Sequence, residues 1–287
     1  MSMQVCCVDP QPPQQAPILP PSDIEKMKAE LTKIDNFMKD IDSGAATETT
    51  YEGLKAAIAV ANEIILSLDN ANDFFKIGGF NQLIPLLACS DAEVVAASAE
   101  LIADLCQNNI YCQSKLLDFN VMPQLVKLMD SHPDSTVTSK ALYALSCLCR
   151  HNDDAIKHLE VTNFLPIILR MLQGPDEKLR AKTAFFLSYL ATHENFREAF
   201  YQADVVGILL KLLKEEQDSS SEHLLSALQA QVAQHKQSRI LCRKEEYRLK
   251  DILEAKIQMY GSKGEYEEAK ESCSKILNIC FHEEKNS

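Results

Sequence analysis

TVTSKALYALSCLCR (136–150) decides the fold, because variants of this stretch recur along the chain. The related segments are EVVAASAELIADLCQ (93–107), KLRAKTAFFLSYLAT (178–192) and EHLLSALQAQVAQ (222–234). When the segments are aligned on Leu105, Leu148, Leu190 and Val232, a small residue stands two places earlier in each: Ala103, Ser146, Ser188 and Ala230. Apolar residues at helical spacing predict four helices, and the small residues let neighbouring helices approach closely.

A second apolar motif precedes each of these segments. LIPLL (83–87), LVKLM (125–129), ILRML (168–172) and LLKLL (209–213) recur about every 42 residues. A short amphipathic stretch comes before each motif and ends at Gly78-Gly79, Asn120, Asn163 or Asp204. These residue types best tolerate the left-handed backbone conformation of a sharp turn between helices.

One short helix, a sharp turn and two longer helices form each predicted unit, which is the armadillo pattern. A two-helix HEAT unit would not need the short helix and its turn. Because a single repeat cannot bury its apolar face alone, the repeats stack and leave a concave groove. The sequence therefore predicts an all-α fold, an armadillo-like α-solenoid superhelix with helical caps.

The repeats also set the predicted domain boundaries. We expect a disordered proline-rich tail at 1–22, N-terminal capping helices at 23–69, four armadillo-like repeats at 70–234 and C-terminal capping helices at 235–287. In the N-terminal cap, a linker at 43–50 separates a helix that begins after Ser22-Asp23 from a second helix at 54–68. In the C-terminal cap, Gly261 and Gly264 separate two charged helices, at 239–263 and 265–281.

Composition excludes several classes of function. A net charge of −12 argues against a nucleic-acid partner, which needs a cationic surface. A membrane partner is not predicted either, since no long uncharged apolar run is present. The chain has no basic residue before Lys26 and no apolar run typical of a signal peptide, and its ten cysteines are spread over helical segments. We therefore expect reduced thiols and a cytoplasmic location, with the nucleus as a further possibility.

The cysteines of the second repeat are the most conspicuous candidates for chemistry. Residues two apart on a helix point about 200° from each other, so Cys147 and Cys149 cannot both ligate one metal ion. Cys149 is predicted to lie in the core and Cys147 to face the groove. Because phosphate-binding, zinc-protease and nucleophile-elbow motifs are also missing from the sequence, no catalytic residue, cofactor or metal is predicted, and the protein is not expected to be an enzyme.

The groove is the predicted functional surface. Positions one and five residues before the aligned leucine point inward: Glu100 and Asp104, Tyr143 and Cys147, Phe185 and Tyr189, and Ala227 and Gln231. Lys140, Arg150 and Lys182 extend this face, so the groove changes from acidic in the first repeat to aromatic and basic in the next two. Phe185 and Phe186 cannot both be buried on one side, which favours exposure of one. Exposed aromatics beside arginine are typical of interface hot spots.

Nuclear-import adaptors of this fold carry tryptophan and asparagine ladders at the inward positions. This chain has no tryptophan, and Asp, Cys, Tyr and Gln stand where the asparagines would be. Binding of a basic import peptide is therefore not expected.

The repeats, together with TVTSKALYALSCLCR, EKLRAKTAFFLSYL and the terminal EYEEAKESCSKILNICF, resemble the HspBP/Fes-type nucleotide exchange factors over about residues 50–281. The resemblance implies a cytosolic co-chaperone that binds the ATPase domain of a 70-kDa heat-shock chaperone in its groove and promotes ADP release. A chaperone-linked ubiquitin ligase is a further candidate partner. We expect the contact residues to be Lys140, Tyr143, Arg150, Lys182, Phe185 and Tyr189, placed by repeat geometry and matching the family's contacts only in region.

Two other hypotheses stay open at this point. One hypothesis is a general armadillo scaffold for another cytosolic protein, such as a ubiquitin-ligase or trafficking component. The other is a redox-sensing or catalytic thiol at Cys147 or Cys112.

Overall fold

The computed structural model describes residues 20–215, 220–261 and 264–282, and the part of the predicted tail before residue 20 lies outside them. The described residues form seventeen α-helices and no strand. The helices are α1 (Asp23–Asp42), α2 (Glu48–Ile64), α3 (Leu68–Lys76), α4 (Leu83–Leu87), α5 (Ala92–Cys106), α6 (Ile110–Asp118), α7 (Val121–Ser131), α8 (Ser135–Cys149), α9 (Asp153–Glu160), α10 (Leu165–Gln173), α11 (Glu177–Leu190), α12 (Glu194–Gln202), α13 (Val205–Glu215), α14 (Ser221–Ala233), α15 (Lys236–Cys242), α16 (Leu249–Tyr260) and α17 (Glu267–Leu277).

From α3 to α14 the helices follow a repeating order of a short first helix, a second helix and a longer third helix. The third helices α5, α8, α11 and α14 pack successively, with α2 before them and α17 after them. The aligned anchors Leu105, Leu148, Leu190 and Val232 are all fully buried between repeats. The predicted all-α solenoid is confirmed.

The third helices begin where the sequence supplies an aspartate. Asp91, Asp134 and Asp176 each accept a hydrogen bond from a backbone N–H of the first turn of α5, α8 and α11. A carboxylate here satisfies an otherwise unpaired backbone N–H, and its negative charge interacts favourably with the positive end of the helix dipole. These caps fix the start of each third helix, and burial of its apolar face sets which side chains are left toward the groove.

Sharp turns join the first and second helices of most repeats. Gly78, Asn120 and Asp204 have φ of 90°, 55° and 56°, as predicted. The prediction for Asn163 is wrong, because its φ is not positive. Four residues connect α9 to α10, whereas two connect α6 to α7 and α12 to α13, so the longer connection turns without a left-handed residue.

Two helix predictions near the ends of the chain are wrong. Part of the expected linker at 43–50 belongs to α2, which starts at Glu48 because Thr47 and Thr50 form a capping box. The expected helix at 239–263 is broken between α15 and α16, and Arg248 has a left-handed φ of 47°. The elements α15 to α17 therefore have the order of an armadillo repeat, with Arg248 at the turn.

Candidate partner-binding groove

The groove lies along the inward sides of α5, α8 and α11. Phe185 on α11 is 47% exposed and Tyr143 on α8 is 36% exposed, while Phe186 is fully buried. The expectation that one of the two adjacent phenylalanines would be exposed is thus confirmed. Two large aromatic side chains on successive third helices are therefore open to solvent on the same face.

Arg150 connects these aromatic side chains. It is the C-terminal cap of α8, and its guanidinium carbon lies 5.0 Å from the ring centroids of both Phe185 and Tyr189 on α11. A guanidinium held against two rings keeps its charge while its flat faces contact apolar surface. The arrangement orders Arg150 across the boundary between the second and third repeats.

The two lysines of the predicted stripe have different partners. Lys140 on α8 forms an ion pair with Glu100 on α5, so its charge is balanced within the groove. Lys182 on α11 donates a 2.6 Å hydrogen bond from Nζ to the neutral Oγ of Ser139. A partner would therefore have to displace Glu100 from Lys140, which costs little because such exposed pairs contribute about 0–1 kcal/mol.

Tyr189 has a structural role that limits what it offers a partner. Its hydroxyl donates to the carbonyl of Cys149 at 2.9 Å and accepts from the backbone N–H of His151 at 2.8 Å. Its hydroxyl thus joins α11 to the carboxyl end of α8, and the edge of its half-buried ring is what remains available in the groove.

The acidic part of the groove lies at the first repeat. Asp104 on α5 accepts a 2.8 Å hydrogen bond from the Asn62 side chain of α2. Partial burial, reinforced by the neighbouring charge of Glu100, raises the pKa of Asp104, and the bond from Asn62 opposes this rise. The expected change from acidic to aromatic and basic along the groove is therefore present.

A cavity of about 520 Å³ opens between α8 and α11. Its apolar lining comes from Leu142, Tyr143, Ala181 and Phe185, and its polar lining includes Cys147, Arg150, Lys182 and His223. Among successive third helices, α8 and α11 make the fewest close backbone approaches, and the cavity lies between them.

Thiol chemistry in the groove is disfavoured by burial. Cys149 is fully buried, as predicted, and Cys147 is half-buried at the cavity wall. Burial raises the pKa of the Cys147 thiol, and the hydrogen bond with Tyr143 and the nearby Arg150 only partly oppose this. Burial of the Cys112 thiol likewise raises its pKa to about 12. These thiols lack the depressed pKa of reactive cysteines.

The prediction for the fourth repeat is wrong. Ala227 and Gln231 do not face an open groove but are buried where α14 packs against its neighbouring helices. The side-chain amide of Gln231 donates to the backbone carbonyl of Arg197 at 2.8 Å and to Ser238 Oγ at 3.0 Å. The open stripe ends at the third repeat.

His223 is a groove residue that the sequence prediction missed. Its ring meets Phe185 edge-on at 5.9 Å between centroids. His223 lies nine residues before the aligned Val232, as Ala181 of the cavity lining lies nine residues before Leu190, so the repeat alignment was the available signal.

Metal clusters and membrane-spanning helices are absent from the part of the chain that the structure describes. In residues 20–215, 220–261 and 264–282, no group of three or more His, Cys, Asp or Glu side chains could hold a metal ion. None of the helices in this part of the chain is long and apolar enough to cross a membrane.

Structural similarity places the fold in the armadillo class. A designed armadillo repeat protein superimposes with a TM-score of 0.72 at 17% identity, covering 88% of this chain and 99% of that protein. The family model for the SIL1/FES1/HPBP1 C-terminal domain matches residues 70–238, more than half of the chain. The chain therefore belongs to the SIL1/FES1/HPBP1 family.

Two similar relatives have descriptive names. Hsp70-binding protein 1 of Macaca fascicularis is 28% identical over 261 residues, which cover 90% of this chain and 72% of the relative. The Hsp70 nucleotide exchange factor FES1 of Mycosarcoma maydis is 35% identical over 144 residues, covering 50% of this chain and 37% of the relative. The first alignment extends well beyond the repeats matched by the family model.

Proposed function

We propose that this chain is a co-chaperone that acts as a nucleotide exchange factor for a 70-kDa heat-shock chaperone. The observation that carries the proposal is its similarity to Hsp70-binding protein 1 along 90% of its length. The groove is consistent with this activity, because it offers aromatic and cationic side chains to a protein surface. The activity makes and breaks no covalent bond in the co-chaperone, so it requires no catalytic residue.

The physical mechanism is differential binding. If the groove binds the chaperone's ATPase domain more tightly in its open, nucleotide-poor conformation, it shifts the population toward that conformation. By linkage, the affinity of the chaperone for ADP then falls by the same factor by which ADP weakens co-chaperone binding. ADP leaves, and ATP can bind in its place.

We propose that the contact stripe consists of Lys140, Tyr143, Arg150, Lys182, Phe185 and Tyr189. The exposed Phe185 and Tyr143 supply apolar area, and Arg150 and Lys182 approach carboxylates of the chaperone. Arg150 is partly desolvated and held by two rings, so little side-chain entropy is lost when it binds a partner. These features are those of an energetic hot spot.

We further propose that the protein acts in the cytoplasm. All eight cysteines of the described residues are free thiols, a state that accords with a reducing compartment.

The test is release of a fluorescent ADP analogue from a purified cytosolic 70-kDa chaperone. Addition of this protein should accelerate release to a plateau at saturating concentration. The double variant Arg150→Glu, Lys182→Glu should weaken chaperone binding while retaining the helical circular dichroism spectrum. The control variant Lys211→Glu, Lys214→Glu makes the same charge change at exposed positions of α13 and should behave as wild type. Binding without faster release would indicate a scaffold instead, and unchanged affinity of the groove variant would place the contacts elsewhere.

A further inference from the structure

The cavity between α8 and α11 has the size and lining of a small-molecule site. Its volume of about 520 Å³ lies within the range of about 300–1,000 Å³ that is typical of ligand pockets. Leu142 and Ala181 form part of its apolar wall, and the exposed rings of Tyr143 and Phe185 flank it. A compact aromatic or aliphatic group would bury apolar surface here that is otherwise exposed to water.

The charged side chains of this cavity are cationic. Arg150 lies against two aromatic rings, and Lys182 bonds a neutral serine hydroxyl. Within residues 20–215, 220–261 and 264–282, neither of these side chains is within ion-pair distance of a carboxylate. By contrast, Lys140 on the same face of α8 is paired with Glu100.

Two uncompensated cations are notable in a chain of net charge −12. The acidic side chains of the groove lie at the first repeat, where Glu100 forms an ion pair with Lys140 and Asp104 accepts a hydrogen bond from Asn62. Arg150 and Lys182 are therefore the charged side chains of the cavity lining that remain available to an anionic group from outside the described protein. A guanidinium offers a carboxylate two parallel hydrogen bonds, which selects a planar anion over a neutral polar group.

We propose that this cavity binds a small amphipathic monoanion, an aromatic or aliphatic carboxylate. The apolar part of the ligand occupies the space between α8 and α11, flanked by Tyr143 and Phe185. Its carboxylate lies at the mouth of the cavity, against Arg150 and Lys182. Binding requires no chaperone; competition between this ligand and a chaperone for the same side chains is a consequence that rests on the proposed function.

The first test compares two probes of nearly equal shape by isothermal titration calorimetry on the full chain. Naphthalene-2-acetate should bind at one site, and the neutral naphthalene-2-acetamide should bind about tenfold more weakly, because it lacks the charge-assisted hydrogen bonds. Arg150→Gln should weaken the binding of naphthalene-2-acetate by about tenfold and leave the binding of the acetamide unchanged. Phe185→Ala should weaken the binding of both probes. The control Tyr111→Ala, at another exposed aromatic residue, should weaken the binding of neither.

A second test uses the wild-type chain, so it does not depend on the folding of any variant. Cys147 lines the cavity, whereas the half-buried Cys89 lines a different one next to His132. Bound naphthalene-2-acetate should slow alkylation of Cys147 by N-ethylmaleimide at least severalfold and leave Cys89 unaffected, as read by peptide mapping. Equal affinity for the two probes, no effect of Arg150→Gln, or no selective protection of Cys147 would overturn the proposal.

Discussion

Phe185 and Phe186 are neighbours on α11 whose replacement by alanine should have opposite effects on stability and binding. Phe186 is fully buried in the core, whereas about half of Phe185 is exposed in the groove. The two substitutions remove the same atoms from the same helix. Any difference between them therefore reports the environment of each side chain.

The magnitudes follow from burial. Phe186→Ala should lower the free energy of unfolding by about 3–5 kcal/mol, the usual cost of removing a buried phenylalanine and leaving a cavity. Phe185→Ala loses only about half of the 1.5–3 kcal/mol expected for complete burial, which is about 1 kcal/mol. Loss of the contact with the Arg150 guanidinium adds about 0.5–1 kcal/mol. The better helix propensity of alanine offsets part of this loss at both positions.

Urea unfolding followed by circular dichroism measures the free energy of unfolding, and titration with a labelled 70-kDa chaperone measures the affinity for the chaperone. Phe185→Ala should lower the free energy of unfolding by only about 1–2 kcal/mol. It should lose at least tenfold in chaperone affinity, because a hot-spot side chain contributes about 2 kcal/mol or more. Phe186→Ala should unfold at much lower urea, and the molecules that remain folded should bind normally. Equal destabilisation by both substitutions would refute the assigned orientation of α11, and unchanged affinity of Phe185→Ala would refute the contact stripe.

Three further predictions concern packing and thiol reactivity. Gln113→Ala should lower the free energy of unfolding, measured in urea, by about 2–4 kcal/mol. The reason is that the buried amide lies within hydrogen-bonding distance of three backbone carbonyls at the ends of α5 and α8. A loss below about 1 kcal/mol would show that these carbonyls find other donors. Gly79→Ala should destabilise the fold by about 1–3 kcal/mol, since its Cβ would lie 2.4 Å from the buried ring of Phe74. Gly174→Ala is the matched control, because Gly174 has an ordinary φ of −68° and its added Cβ would make contacts of 3.4 Å. This variant should be neutral or stabilising by up to about 1 kcal/mol. A higher thermal midpoint for Gly79→Ala than for Gly174→Ala would contradict both expectations. Alkylation of Cys147 should be slow at pH 7.5 and increase about tenfold per pH unit through pH 9, because a raised pKa leaves little thiolate at neutral pH. Rapid alkylation at pH 7.5 would instead support the hypothesis of a redox-sensing thiol.

The sequence was a good guide where one residue type has one structural use. The recurring LxxLL-like segments and the aligned anchors Leu105 and Leu148 predicted the repeats, because apolar periodicity directly reflects burial between helices. The family resemblance was confirmed by the model that matches residues 70–238. The adjacent pair Phe185 and Phe186 also gave a correct expectation, since a helix turns about 100° per residue.

The sequence was a poor guide where distant packing decides the conformation. Arg248 adopts a left-handed φ although arginine does not favour one, so a continuous helix was expected in its place. Leu249 and Leu253 are buried directly after this turn, and this burial accords with a tertiary origin of the break. Gln231 was expected in the groove because nothing in α14 itself indicates that this amide bonds Arg197 on α12 and Ser238 on α15. Arg197 is 34 residues away in the chain.

The narrow interface between α8 and α11 also has a mechanical consequence. A stack of helices bends most easily where adjoining layers share the least contact, so this boundary should act as a hinge between two more rigid segments of the solenoid. Closing the hinge would tighten the curvature of the superhelix, and opening it would flatten the molecule. A group bound in the cavity at this hinge would set the angle between the two segments. The span of the groove, and hence the diameter of the body that it can enclose, would then be adjusted at one place in the molecule.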